Sequence, residues 1–220
     1  MCIRDRRVIG EGGGGSCGAC AALYTGPMEA KQLKTIDDLQ ACPQEHVELI
    51  DGEIVKRPMA RFEHGLAQSA LSEEVRLLRR RRGPGGWWIV TEVSVLYSEH
   101  QCPTHDLAGW RKERLAGQPS GVIGTRPDWV CEILSPGHEK KDLFHHFMLL
   151  QGTEVPWYWI LSPEDKTLIA YALDAGGYRV IASRQCQAAA ACNELRIPPF
   201  QEVQIDLAYV FGGEPRAEGD

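Results

Sequence analysis

The stretch Arg126–Pro136, RPDWVCEILSP, limits the fold of this chain more than any other segment. Its centre is an apolar run of strand length closed by a Ser-Pro breaker, yet it carries two carboxylates, Asp128 and Glu132. A carboxylate alone in an apolar medium is costly, or it takes up a proton. The run therefore lies at the surface, or something positive sits beside it. Strand side chains alternate, which puts Asp128, Val130 and Glu132 on one side and Trp129, Cys131 and Ile133 on the other. At ~3.3 Å per residue the two acids stand about 13 Å apart, too far to ligate one ion directly. A carboxylate partner for Glu132 comes more readily from a neighbouring strand, and Asp106 in THDLAGW is the best candidate.

Two like charges at one site demand a cation, and hard oxygen ligands favour Mg²⁺ or Mn²⁺. Such an ion lowers the pKa of bound water and clamps a phosphodiester oxygen. The structural alternative is that Asp106 starts a turn, Asp128 caps a strand and Glu132 makes a buried ion pair.

The 220 residues suit one domain, and 43% hydrophobic with 25% charged residues supplies a core. The net charge of −6 lacks the basic excess of a general nucleic-acid binder, so any DNA contact must use a local patch. No apolar run approaches the ~20 residues of a membrane span. The eight cysteines follow no regular spacing. Cys131 reads as a small apolar residue in a reduced protein, and Cys17 and Cys20 form a lone CxxC without a second pair or a following helix. A reducing cytoplasm is the expected compartment.

Residues 1–27 hold a four-glycine run, scattered arginines and no periodicity, and are expected to be disordered. Met1-Cys2-Ile3-Arg4-Asp5 resembles translated sequencing-adapter sequence, which makes the leader a candidate non-native segment and Met28 a candidate start. Residues 28–211 are expected to form a single domain and 212–220 a disordered tail.

Within that domain, HVELIDGEIVKRP (46–58) reads as a hairpin about Asp51-Gly52. From His64 to Arg82 the apolar period becomes helical, through Ala67, Leu71, Val75 and Leu78, and stops at Gly83-Pro84-Gly85-Gly86. Residues 87–97, 102–110, 155–163, 166–174 and 178–183 read as strands. Asp142–Gln151 reads as a helix with an apolar stripe of Leu143, Phe144, Phe147 and Met148, and 197–211 closes the fold. The order implies an α+β or mixed α/β domain.

Taken in order, VELIDGEIV, GGWWIVTEVSV, DLAGWRKERL, RPDWVCEILSP, KKDLF and VPWYWILSPEDKTLIAYAL resemble the Uma2 family of the PD-(D/E)XK nuclease superfamily, over about residues 35–183. The resemblance implies a restriction-endonuclease-like core, a mixed β-sheet flanked by helices, and a Mg²⁺-dependent (or Mn²⁺-dependent) DNA endonuclease. By motif, it implies Asp106 and Glu132 as catalytic metal ligands, with Asp128 as a weaker ligand and Glu48 in support. The superfamily wants a lysine near the metal to orient water and steady developing charge. Leu134 stands two residues after Glu132, and where many members carry a helix lysine four residues after an aspartate, here Asp142, this chain has His146. Histidine is no fixed charge at pH 7, and Lys140 or Lys141 is a candidate substitute. His64, at the start of the first core helix, is a further candidate facing the cleft.

Bland readings stand beside these. Arg79–Arg82 complements a helix C-terminus as readily as it touches phosphate, and Trp87, Trp88, Trp157 and Trp159 suit a core better than base stacking. The missing lysine also admits a second function, a catalytically inactive nuclease-fold module binding nucleic acid or a protein partner. A homodimer suits cleavage of both strands of a duplex.

Overall fold

The computed structural model describes residues 32–115, 117–135, 139–186, 192 and 195–215, with the side chains of 139–142 outside that description. The leader 1–27 with its CxxC, and 216–220, lie outside the described residues. Thr35 opens a short helix α1 (Ile36–Gln40) through a capping box with Asp38. The expected hairpin follows as β1 (Val47–Ile50) and β2 (Glu53–Lys56). Asp51 and Gly52 both take positive φ, 49° and 72°, as a two-residue hairpin turn requires.

Helix α2 (Phe62–Glu74) and α3 (Arg76–Arg80) form the predicted helical segment, interrupted at Val75. Ala67, Leu71, Val75 and Leu78 are all buried, so the apolar period continues across the break. The segment ends where Lys112 Nζ donates to the carbonyls of Arg79 and Arg81, each at 2.7 Å, which satisfies groups a helix end leaves without partners. Part of the arginine run is thus built into the fold, and Arg81 also pairs with Glu202.

Six strands form the main sheet: β3 (Trp87–Ser94), β4 (Thr104–Arg111), β5 (Trp129–Ile133), β6 (Trp157–Ser162), β7 (Thr167–Asp174) and β8 (Gly177–Gln185), in that spatial order. Only β5 and β6 are parallel. A parallel pair needs a crossover, supplied by α4 (Glu139–Gly152). β5 is buried along its whole length, as expected of a central strand covered on both faces. Trp129, Cys131 and Ile133 face one core with α2, α3 and the C-terminal segment, and Val130 faces the other with α4, as alternation predicted.

The tail closes the first core. Phe200 meets Trp87, Trp129 and Trp159 edge-on at centroid distances of 5.1, 4.8 and 5.5 Å, and helix α5 (Leu207–Val210) packs beside α2. Gly212 and Gly213, expected in the tail, still donate to Tyr209 O and Ala208 O. Trp87 and Trp159 are core residues, while Trp88 and Trp157 are half-buried beneath Lys112 and Arg111.

One expectation needs correction. On α4, Phe144 and Met148 are 70% and 51% exposed, so the inward face is narrower than the predicted stripe. Leu143, Phe147 and Leu150 lie one turn apart along that face, whereas 144 and 148 sit about 100° round the helix. Cys186 and Cys192 form a disulfide, while Cys42, Cys102 and Cys131 are free. Among the described residues no helix is long and apolar enough to cross a membrane.

Burial predicts unequal responses to one substitution. Phe200→Ala should cost about 3–5 kcal/mol in urea unfolding, and Phe144→Ala no more than about 0.5 kcal/mol.

Candidate metal and active site

The site forms where β4 and β5 part. Their pairs run Gly109 with Trp129, Ala108 with Val130 and Leu107 with Cys131, and the ladder ends one step before Asp106 and Glu132. A side chain takes over the ladder there. Ile133 N–H donates to Asp106 Oδ2 at 2.7 Å. On the other flank of β4 the β3 ladder skips the Glu92–Asp106 position, and Glu92 has a φ of 51°. These departures from a regular ladder accompany a split between adjacent residues, in which Asp106 turns toward α2 and His105 toward α4.

On the α2 side, His64 Nε2 and Arg57 Nη2 lie 3.3 and 3.5 Å from Asp106 Oδ1. Arg57 also bonds Glu92, and Gln68 Nε2 donates to Glu92 Oε1 and to Asp106 O, both at 2.8 Å. Ser135, from the Ser-Pro breaker, places Oγ 3.3 Å from His64 Nδ1. The hydrogen bond to Asp106 raises His64 above its ordinary pKa despite partial burial.

On the α4 side, His105 Nδ1 lies 2.5 Å and His146 Nδ1 3.6 Å from Glu132 Oε1. His105 Nε2 meets Tyr97 Oη at 2.8 Å. Burial raises the Glu132 carboxyl to about 8, opposed by His146 and reinforced by the charges of Asp106 and Glu48. Burial likewise pushes His105 down to about 3 and lowers His146. Desolvation thus favours the neutral form of all three groups. Glu48 is held by the hairpin: Leu49 and Cys102 exchange main-chain hydrogen bonds, and Glu48 Oε2 accepts the Thr104 N–H at 3.0 Å.

Among the described residues, two groups of ligand-type side chains have their donor atoms within 4.8 Å of one another, His105 with Glu132 and His146, and His64 with Glu92 and Asp106. Of the residues predicted from sequence, His64 and Asp106 fall in the second group and Glu132 and His146 in the first, while Glu48 belongs to neither. Asp128 joins neither group. It precedes β5, at the opposite end from Glu132, where it accepts the Arg111 N–H at 2.8 Å and pairs with Arg114 Nη1 at 2.7 Å. The structure makes it a structural ion pair, and the expectation of a metal ligand there is corrected. Lys141, like Lys140, lies on α4 with a side chain outside the described ones. His146 is inward-facing, with a side chain 13% exposed.

Sequence reasoning missed His105, Arg57, Glu92 and Tyr97. Strict alternation sends His105 to the side opposite Asp106 and Glu132, and only the local break in β4 returns it to Glu132. Arg57 follows β2 in the hairpin that also carries Glu48, a proximity the sequence did make visible.

A six-stranded mixed sheet with helices packed on both faces is the fold of restriction-endonuclease-like nucleases. The chain belongs to the Uma2 family, whose model, described as "Putative restriction endonuclease", matches residues 34–216. Among solved structures it is similar to a crystal structure described as "a putative nuclease belonging to DUF820 from Anabaena variabilis ATCC 29413", with a TM-score of 0.65 and 18% identity over 80% of this chain and 97% of that one. Comparison with the curated proteins gave no match.

The buried acid predicts a pH signature for the metal-free protein. Glu132 keeps its proton in the folded chain up to about 8 but ionises near 4.5 when unfolded. The folded state then binds more protons, so stability falls as pH rises between those values. His105 and His146, depressed below 6.5, contribute the opposite slope only below 6.5. His64, raised, adds a fall in the same direction as Glu132. In chelator-treated protein, Tm is expected to drop from about pH 6.5 to 8, and Glu132→Gln should flatten that drop while leaving the His64 part.

Proposed function

We propose that this chain is a divalent-metal-dependent DNA endonuclease acting on phosphodiester bonds, with Asp106 and Glu132 as its metal-binding carboxylates, each within its own group of donors. The observation that carries this reading is the pair of donor groups at the end of the β4–β5 ladder, His64 with Glu92 and Asp106 toward α2 and His105 with Glu132 and His146 toward α4. Glu48 adds a third negative charge to the same region. Oxygen donors of this kind fit Mg²⁺ or Mn²⁺. When bound, such an ion supplies acidified water and a clamp for a phosphoryl oxygen.

The remaining groups have definable parts. Ile133 N–H fixes the orientation of Asp106, and His64 fixes its other oxygen. His146 is held neutral by burial, which suits it to accept a proton rather than to act as a standing cation. Arg57, which follows β2, reaches Asp106 on the α2 side and supplies the fixed positive charge lacking at Leu134 and His146. Lys141 is a second candidate from α4. Action on both strands suits a two-fold pair of chains on a duplex in the cytoplasm.

One observation favours a second reading. With a histidine where many family members carry a lysine, the chain could serve as an inactive module that binds nucleic acid or a protein partner.

Plasmid incubated with purified protein and Mg²⁺ or Mn²⁺ separates the two. Nicking is expected from the native chain, with none detectable from Asp106→Ala or Glu132→Ala, and with a loss of about 10²–10³-fold in Arg57→Ala, the order seen when one preorganised charge-stabilising donor is removed. Cutting that survives both carboxylate substitutions refutes the assignment, and DNA retention without cutting by any version supports the binding module.

A further inference from the structure

We propose that His105, Glu132 and His146 form a binding site for a late first-row divalent ion, zinc above all, in preference to Mg²⁺. The site shares Glu132 with the nuclease centre proposed above and rests on that reading only for any part in catalysis. Its coordination chemistry is independent of what the protein cleaves.

The donor set is the first ground. Two imidazole nitrogens and one carboxylate oxygen suit zinc, cobalt or nickel, whereas Mg²⁺ prefers oxygen ligands and retains its waters. The geometry is the second. The three donor atoms lie within 4.8 Å of one another, and two of the distances are 2.5 and 3.6 Å. Ligands on a tetrahedral ion with ~2.0–2.1 Å bonds stand about 3.4 Å apart, so side-chain adjustments of about 1 Å suffice. They come from three elements, β4, β5 and α4, as a site that closes on an ion requires.

Support around the ligands is the third ground. His105 presents Nδ1 to Glu132 while Nε2 meets Tyr97 Oη, the outer hydrogen bond that orients a ligating histidine. Charge is the fourth. Among the described residues, Glu132 forms ion pairs only with these two imidazoles, and no guanidinium or ammonium competes for it. The neighbouring group of His64, Glu92 and Asp106 differs, because Arg57 already pairs with both of its acids.

Cobalt titration of the chelator-stripped full chain tests the proposal through ligand-field absorption in the visible. One equivalent of Co²⁺ should develop the bands, one equivalent of Zn²⁺ should abolish them, and a large excess of Mg²⁺ should leave them intact. His146→Ala is expected to weaken binding more than about 100-fold, and Tyr97→Phe about 10- to 100-fold, the range for losing an outer-shell partner. His64→Gln and Cys17→Ser/Cys20→Ser should bind as the native chain does. Circular dichroism of each variant confirms that it is folded.

Absence of cobalt bands, displacement by Mg²⁺, thiolate charge-transfer absorption, or undiminished binding in folded His146→Ala would each overturn the site. Loss of binding in His64→Gln would do so too, by moving the ion to the other group. Plasmid assays on the same samples keep the two readings apart. Cobalt and zinc binding without cleavage under any metal leaves this site standing and refutes the nuclease, whereas Mg²⁺-dependent cleavage without cobalt or zinc binding does the reverse.

Discussion

The 2.7 Å hydrogen bond from Ile133 N–H to Asp106 Oδ2 is the contact on which the arrangement of the site depends. It lets β4 and β5 stop pairing through their main chains without stranding a buried donor, a loss that would cost about 1–3 kcal/mol. Asp106 is therefore a structural member of the sheet as well as a candidate ligand, and its removal affects backbone satisfaction as well as chemistry.

Charge is distributed unevenly across this break. Asp106 and Glu92 share Arg57, a cation that does not titrate near neutrality, so their side of the sheet has its compensation built in. Among the described residues Glu132 forms ion pairs only with imidazoles, themselves held neutral by desolvation, and its carboxyl responds by retaining a proton. Two carboxylates from adjacent strands thus sit in opposite electrostatic regimes. A buried carboxyl held protonated by its surroundings is a recurrent property of functional sites.

Much of this was legible in the residues. Alternation in RPDWVCEILSP placed Glu132 and Val130 opposite Trp129, Cys131 and Ile133, and the Asp51-Gly52 signal located the hairpin, because these patterns are set by local geometry. The α4 stripe was drawn too wide because composition does not say how much of a helix its neighbours cover. Asp128 was overvalued, since an acid in a motif looks the same whether it meets an ion or, as here, Arg114. His105 was invisible for a deeper reason: its placement follows from a break in β4 that only long-range packing of β3, α2 and α4 produces.

The backbone of Glu92 has one more consequence. β3 is a border strand of the sheet, and an uncovered border is a template on which another chain can add. A left-handed residue near its end, with a side chain drawn back onto Arg57 and Gln68, interrupts the row of main-chain donors and acceptors a newcomer would need. The distortion that turns Asp106 toward its partners thereby also guards that margin against β-addition and aggregation.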